Sequence, residues 1–148
     1  MDISASYVFT APPEHVWALL MDPDVLASCV PGCEGFEPAG EDRYRVALTV
    51  GLAAITGKYS GSVAVSDKVE PTSYRLTVEG TGRAGFVKGT SAIGLKADGA
   101  TTVVDVTASV QIGGAIARLG QRLIGAAAKL MMDQFFSCLQ SRVAAPGN

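Results

Sequence analysis

Charge is what this sequence has least of: 18% of its residues are Asp, Glu, Lys or Arg against 48% hydrophobic, with a net charge of -2. So little charge leaves little well-solvated surface, which points to apolar ligands or partners. There is no basic run and no aromatic RNA-binding motif, and a pI near 5.3 offers nucleic acid no electrostatic footprint, so that class is set aside. Nor is there a basic start followed by an apolar block, or an apolar run of membrane-spanning length. A cytoplasmic protein is expected. Histidine occurs once, at His15, and cysteine three times, at Cys29, Cys33 and Cys138. An odd number of cysteines without a secretion signal predicts thiols and no disulfide framework. Repeats, low-complexity tracts and linkers are missing too, so 148 residues read as a single domain, 1–148.

What the chain does have is one long helical pattern at its end and many short alternating ones before it. From Ala115 to Val143 a 3.6-residue period places Ile116, Leu119, Leu123, Ala127, Leu130, Met131, Gln134 and Cys138 on one face, with Arg118, Arg122, Lys129, Asp133 and Gln140 opposite. The centre of that face is small, around Gly120 and Ala127, which allows close packing or an empty pocket. Residues 144–148 are expected to fray. Phe136 falls at the same angle as Arg118 and Lys129, so Met132, Phe135 and Phe136 are expected to form exposed apolar surface for a partner or a membrane, cover by the short helices being the alternative.

Upstream, Met1 to Thr10 alternates as a half-buried strand. Pro12-Pro13-Glu14 is a sound helix start, with Val16, Trp17, Leu19 and Leu20 as the buried stripe, and Asp22-Pro23 ends it before another turn or two. Strands are then predicted at Gly35 to Pro38, Arg43 to Leu52, Thr56 to Ser66, Ser73 to Gly80, Gly85 to Ala97 and Thr101 to Ile112, the last pair joined at Asp98-Gly99. About seven antiparallel strands, two short helices and a long one make an α+β fold.

Several stretches resemble the CoxG family of carbon monoxide dehydrogenase subunits: Ala11-Pro12-Pro13-Glu14-His15-Val16-Trp17, Cys29-Val30-Pro31-Gly32-Cys33-Glu34, Tyr59-Ser60-Gly61, Ala84-Gly85-Phe86-Val87-Lys88-Gly89 and Asp133-Gln134-Phe135-Phe136. The element order is similar to the START-like helix-grip superfamily, in which a curved sheet wraps a long helix over a ligand cavity. The resemblance implies a hydrophobic small molecule, a quinone or isoprenoid, carried by an accessory protein of a molybdenum-containing carbon monoxide dehydrogenase. Partners so implied are the dehydrogenase subunits and the inner face of the cell membrane, touched peripherally. Some members carry a C-terminal membrane tether; here the chain ends at Asn148, which leaves Phe135 and Phe136 as the expected contact.

The remaining motifs read more simply than they look. Gly80 to Gly85 spells G-x-G-x-x-G, but a strand follows where a phosphate-binding helix is required. Gly51 to Gly57 before Lys58 has the wrong spacing for a phosphate loop and is read as a bend. Cys29 and Cys33 lack further ligands for a closed zinc site, and read as a thiol pair bracing Pro31-Gly32. His15 has no visible acid partner. Inward strand positions carry no Asp, Glu, Lys, Arg or His, which suits a carrier and disfavours catalysis, so no catalytic residue, metal or cofactor is assigned. The expected lining is Val25, Leu26 and Val30 at the mouth, Tyr59, Val78, Ile93 and Val106 on the sheet, and Leu123, Ala127, Leu130 and Gln134 on the helix. Gln134 would meet a carbonyl or quinone oxygen. The competing readings are an adaptor that docks or matures the dehydrogenase without a ligand, and a cyclase- or aromatase-like enzyme.

Overall fold

The computed structural model describes residues 1–51 and 55–144. Its strands are β1 (Asp2–Phe9), β2 (Cys33–Pro38), β3 (Arg43–Val50), β4 (Gly57–Val69), β5 (Ser73–Gly82), β6 (Gly85–Asp98) and β7 (Thr101–Gly113). They form one seven-stranded antiparallel sheet in the order β1-β7-β6-β5-β4-β3-β2, a meander whose last strand pairs with the first. Between β1 and β2 lie the short helices α1 (Pro13–Leu20) and α2 (Pro23–Cys29), and α3 (Gln121–Ala144) follows β7. The α+β class and this element order agree with the expectation. Leu52, read as the end of the third strand, the middle of the Gly51–Gly57 bend and the tail beyond residue 144 lie outside the described residues.

Local chemistry accounts for the punctuation. Pro13 opens α1, where a missing N–H costs nothing, and Asp22 caps α2 by accepting from the N–H groups of Asp24 at 3.0 Å and Val25 at 3.4 Å. The fourth strand outruns its predicted end at Ser66 because the register shifts between Ser66 and Val69, with Asp67 at φ 51°, and pairing then resumes.

Gly120 has the largest consequence. At φ 83° it separates a 3-10 helix, Ala115–Leu119, from α3, so the single helix expected from Ala115 is two pieces. A helical count carried across the break arrives out of phase. Ile116 is buried as expected, but the inner face of α3 carries Ile124, Ala127, Ala128, Met131, Phe135 and Leu139, while Leu123, Leu130 and Gln134 face outward. Phe136, expected on the surface, is 4% exposed; it stacks on Tyr7 at 4.1 Å and meets Phe9 edge-on. Met132 and Phe135 are half-buried and pack against the same core, so the exposed aromatic turn is corrected as well.

This core joins Phe9, Val16, Trp17, Leu20, Val104 and Leu139, bringing β1, β7, α1 and the C-terminal half of α3 together. The Tyr7 hydroxyl donates to Asp133 Oδ1 at 2.8 Å, Lys129 Nζ donates to the same oxygen at 2.7 Å, and Gln140 Nε2 donates to the Val8 carbonyl at 2.8 Å. The bonds to Tyr7 and Val8 pin α3 along β1. Cys29 is bonded to Cys138, tying α2 to α3 with their Cα atoms 5.4 Å apart across 109 residues of sequence. Cys33 stays a thiol, its Sγ 3.4 Å from the Gly35 carbonyl oxygen. The expected set of thiols, with Cys29 and Cys33 as a pair, is therefore corrected; spacing along a chain does not say which helix lies against which.

Candidate functional site

Strand register decides where this sheet leaves space. Near α1 it sets Tyr74 beside Ile93, Ile93 beside Val106 and Leu95 beside Val104, and these side chains fill the gap to the helices. Toward the other end the same inner face carries Gly61 beside Gly80, Val78 beside Gly89, and Ser91 beside Ala108. Above them α3 presents Ala127 and Ala128. Small residues on both layers leave a cavity of about 380 Å³, within the roughly 300–1,000 Å³ usual for small-molecule sites. Its walls include Val46, Leu48, Val63, Val87 and Val110 on the sheet, Ile124 and Met131 on α3, and Ile116 between them. Val78 shows the effect: mid-strand on the inner face, it keeps 36% of its surface open. Gly61 cannot be replaced cheaply, because a Cβ there would collide with the Glu79 carbonyl across the strand pair.

Electrostatically the cavity is nearly blank. The Tyr59 hydroxyl donates to the Ile55 carbonyl at 2.9 Å, and burial raises its pKa above the ordinary value, which keeps it a neutral donor. Glu79 borders the cavity, but strand alternation turns its side chain to the outer face. The Met1 ammonium, at one edge, donates to the Val110 carbonyl at 2.9 Å. Among the described residues no group of His, Cys, Asp and Glu is placed to hold a metal ion, and no helix is long and apolar enough to cross a membrane.

Of the residues expected to line a site, the structure brings Val30, Tyr59, Val78 and Ala127 together around this cavity. Leu26 lines a neighbouring cleft, and Val25 packs against the core. Ile93 and Val106 are in the filled end of the sheet, 4% and 6% exposed. Leu123 and Leu130, 59% and 43% exposed, and Gln134 stand on the outer face of α3, so Gln134 offers the cavity no hydrogen bond. The walls that sequence reading passed over, such as Val46, Val63 and Val110, were visible as inward strand positions. Alternation shows which side chains turn inward and not which of them meet a void.

The cavity spans the sheet from β1 to β2 beneath the first half of α3, and the fold that encloses it recurs in known proteins. The family model of the carbon monoxide dehydrogenase CoxG subunit matches residues 7–144. The chain belongs to the CoxG family. This CoxG chain is also similar to a crystal structure described as a conserved protein from Geobacillus kaustophilus, with 37% identity and a TM-score of 0.95 over 97% of this chain and 95% of that one. A START superfamily protein from Mycobacterium smegmatis shares the fold at 12% identity and a TM-score of 0.72, each chain covered to 97%. Ara h 8.0201 does so at 14% identity, also with a TM-score of 0.72 and 97% coverage of both chains. These two likenesses speak for the START-like helix-grip fold alone. Comparison with curated protein sequences returns no match.

Proposed function

We propose that this CoxG-family chain binds an uncharged lipophilic molecule, a quinone or related isoprenoid, between sheet and helix, as an accessory protein of a carbon monoxide dehydrogenase-type molybdenum enzyme. The observation that carries the reading is the cavity of about 380 Å³ whose one inward hydroxyl, on Tyr59, is already engaged by a backbone carbonyl. A wall of this kind rewards burial of hydrocarbon and penalises a charge, which would lose its hydration without gaining a partner. General acid–base catalysis needs a titratable group within reach of the substrate. Among the described lining residues Tyr59 is held neutral, the Met1 ammonium at the edge is bonded to the Val110 carbonyl and the Glu79 side chain turns to the outer face, which supports carrying over turnover. Membership of the CoxG family supports an association with a carbon monoxide dehydrogenase.

Protein purified from its own host is expected to release a neutral lipid or quinone on solvent extraction, and native mass spectrometry should show the matching mass increment. Ala127→Phe projects a ring into the cavity and should lower affinity for a prenyl quinone at least tenfold with the fold intact. An empty wild-type protein that takes up no such compound would end this reading. A docking role for the same enzyme is favoured by a separate observation, the outward Leu123 and Leu130 among Arg118, Arg122 and Lys129. In a pull-down from the host, loss of the dehydrogenase with Leu123→Ser but not with Ala127→Phe would assign that role to the outer face of α3.

A further inference from the structure

We infer that the cavity continues into a second, polar chamber beneath α1 and α2, where the neutral head group of the ligand sits while its hydrocarbon fills the apolar cavity; this rests on the ligand-binding reading above. The chamber is a cleft of about 360 Å³ lined by Trp17, Leu26 and Tyr44 together with Asp42, Lys68 and Glu70. Its partition from the cavity is one layer of side chains. Leu26 belongs to the cleft and Val30 to the cavity, and they stand one helical turn apart, the Val30 N–H donating to the Leu26 carbonyl at 2.9 Å. Tyr44, in the cleft, pairs in register with Val63, in the cavity, and its ring stacks on the cavity residue Phe36 at 4.8 Å. A flexible prenyl chain needs only a rotamer change at that layer to thread both spaces.

The chemistry on the two sides is opposite. Against the apolar cavity, the cleft offers Lys68 paired with Asp42 at 2.9 Å, with Glu41 and Glu70 near enough to act on the same ammonium. An anionic head would be repelled by three carboxylates, and a cationic one would displace Lys68 from its pair. A hydroxyl or carbonyl fits both signs, taking a hydrogen bond from Lys68 and, for a hydroxyl, giving one to a carboxylate. The Trp17 indole borders the same space. The residue is 5% exposed and forms part of the cleft wall.

Trp17 is the chain's single tryptophan and so reports on this chamber directly. The test titrates farnesene and farnesol, one prenyl chain without and with a hydroxyl head, following uptake by equilibrium dialysis and Trp17 emission in parallel. Both are expected to enter, farnesol roughly threefold to tenfold tighter as one net hydrogen bond allows, and farnesol alone should shift the emission. Lys68→Met, at a partly exposed position, and Leu26→Phe, which narrows the cleft, should each remove most of farnesol's advantage and leave farnesene uptake unchanged. Equal affinities with a silent Trp17 would overturn the second chamber and leave the cavity reading standing. Uptake of neither probe would overturn the reading beneath it.

Discussion

Two ends of one sheet face behave as different materials. At the α1 end Tyr74, Ile93 and Val106 stand side by side with 4–6% of their surface open, under the disulfide-tied C-terminal half of α3. Two rows along the same strands Val78 is 36% open, with Gly89 beside it and Ala127 among the residues above. Backbone, hydrogen-bond ladder and covering helix are common to both. The side-chain volumes differ, and with them the job: one end holds the helix on, and the other holds it off.

Truncation measures that division most strongly. Leu139→Ala, in the filled end with no surface exposed, should cost about 3–4 kcal/mol in denaturant unfolding, whereas Met131→Ala, on the cavity wall, should cost about 1 kcal/mol, its neighbours on one side being already absent. Equal losses would break the comparison. Removing the covalent tie comes next: reduction, or Cys138→Ser, should lower stability by about 2–4 kcal/mol, seen as a lower Tm with reductant than without. A third variant sharpens the hollow end. Gly61→Ala should cost about 1–3 kcal/mol despite the empty space nearby, since its methyl group meets backbone and not the void; a neutral outcome in thermal melts would mean that β4 and β5 yield there.

The smallest expected effects are in pH. Burial is the main cause raising the pKa of both Tyr7 and Tyr74 above their ordinary 10.0, and for Tyr7 the Asp133 hydrogen bond adds to it. Their contribution is complete below pH 10.0 and is lost as pH rises from there toward the folded-state values, while the unfolded chain ionises first. Tyr74→Phe should flatten that alkaline loss. Asp133 runs the other way: the hydrogen bond from Lys129, then that from Tyr7, lowers its pKa from 3.8, so its contribution is present above that value and fades as pH falls below it. Asp133→Asn should remove this acid limb, and urea melts across the range would show both.

The strand pattern was legible because one face of nearly every strand is buried. Alternation at Tyr44, Val46 and Leu48, or at Val104, Val106 and Ala108, survives any detail of packing, and Asp22 and Pro13 mark helix starts through bonds made within a few residues. The face of α3 was not legible, since a left-handed glycine resets the helical phase and Gly120 looks in sequence like one more small residue. Of the eleven residues expected to line a site, four fall on the cavity, for the same reason. Val30, Tyr59, Val78 and Ala127 follow from alternation, from the mouth position or from smallness, whereas Leu123, Leu130 and Gln134 inherited the wrong phase.

By itself the sequence determined an α+β chain with an uncharged inner sheet face and a long final helix, because periodicity and composition are local properties that each segment carries alone. Tertiary structure alone decided that Cys29 meets Cys138, that Phe136 is core and Leu130 is surface, and that the void lies over Gly61, Val78 and Gly80. Each of these depends on which distant residues share a row or face each other across the sandwich. A cavity is the clearest instance, for it belongs to no residue and exists only as the distance between two layers whose facing side chains are both too small to close it.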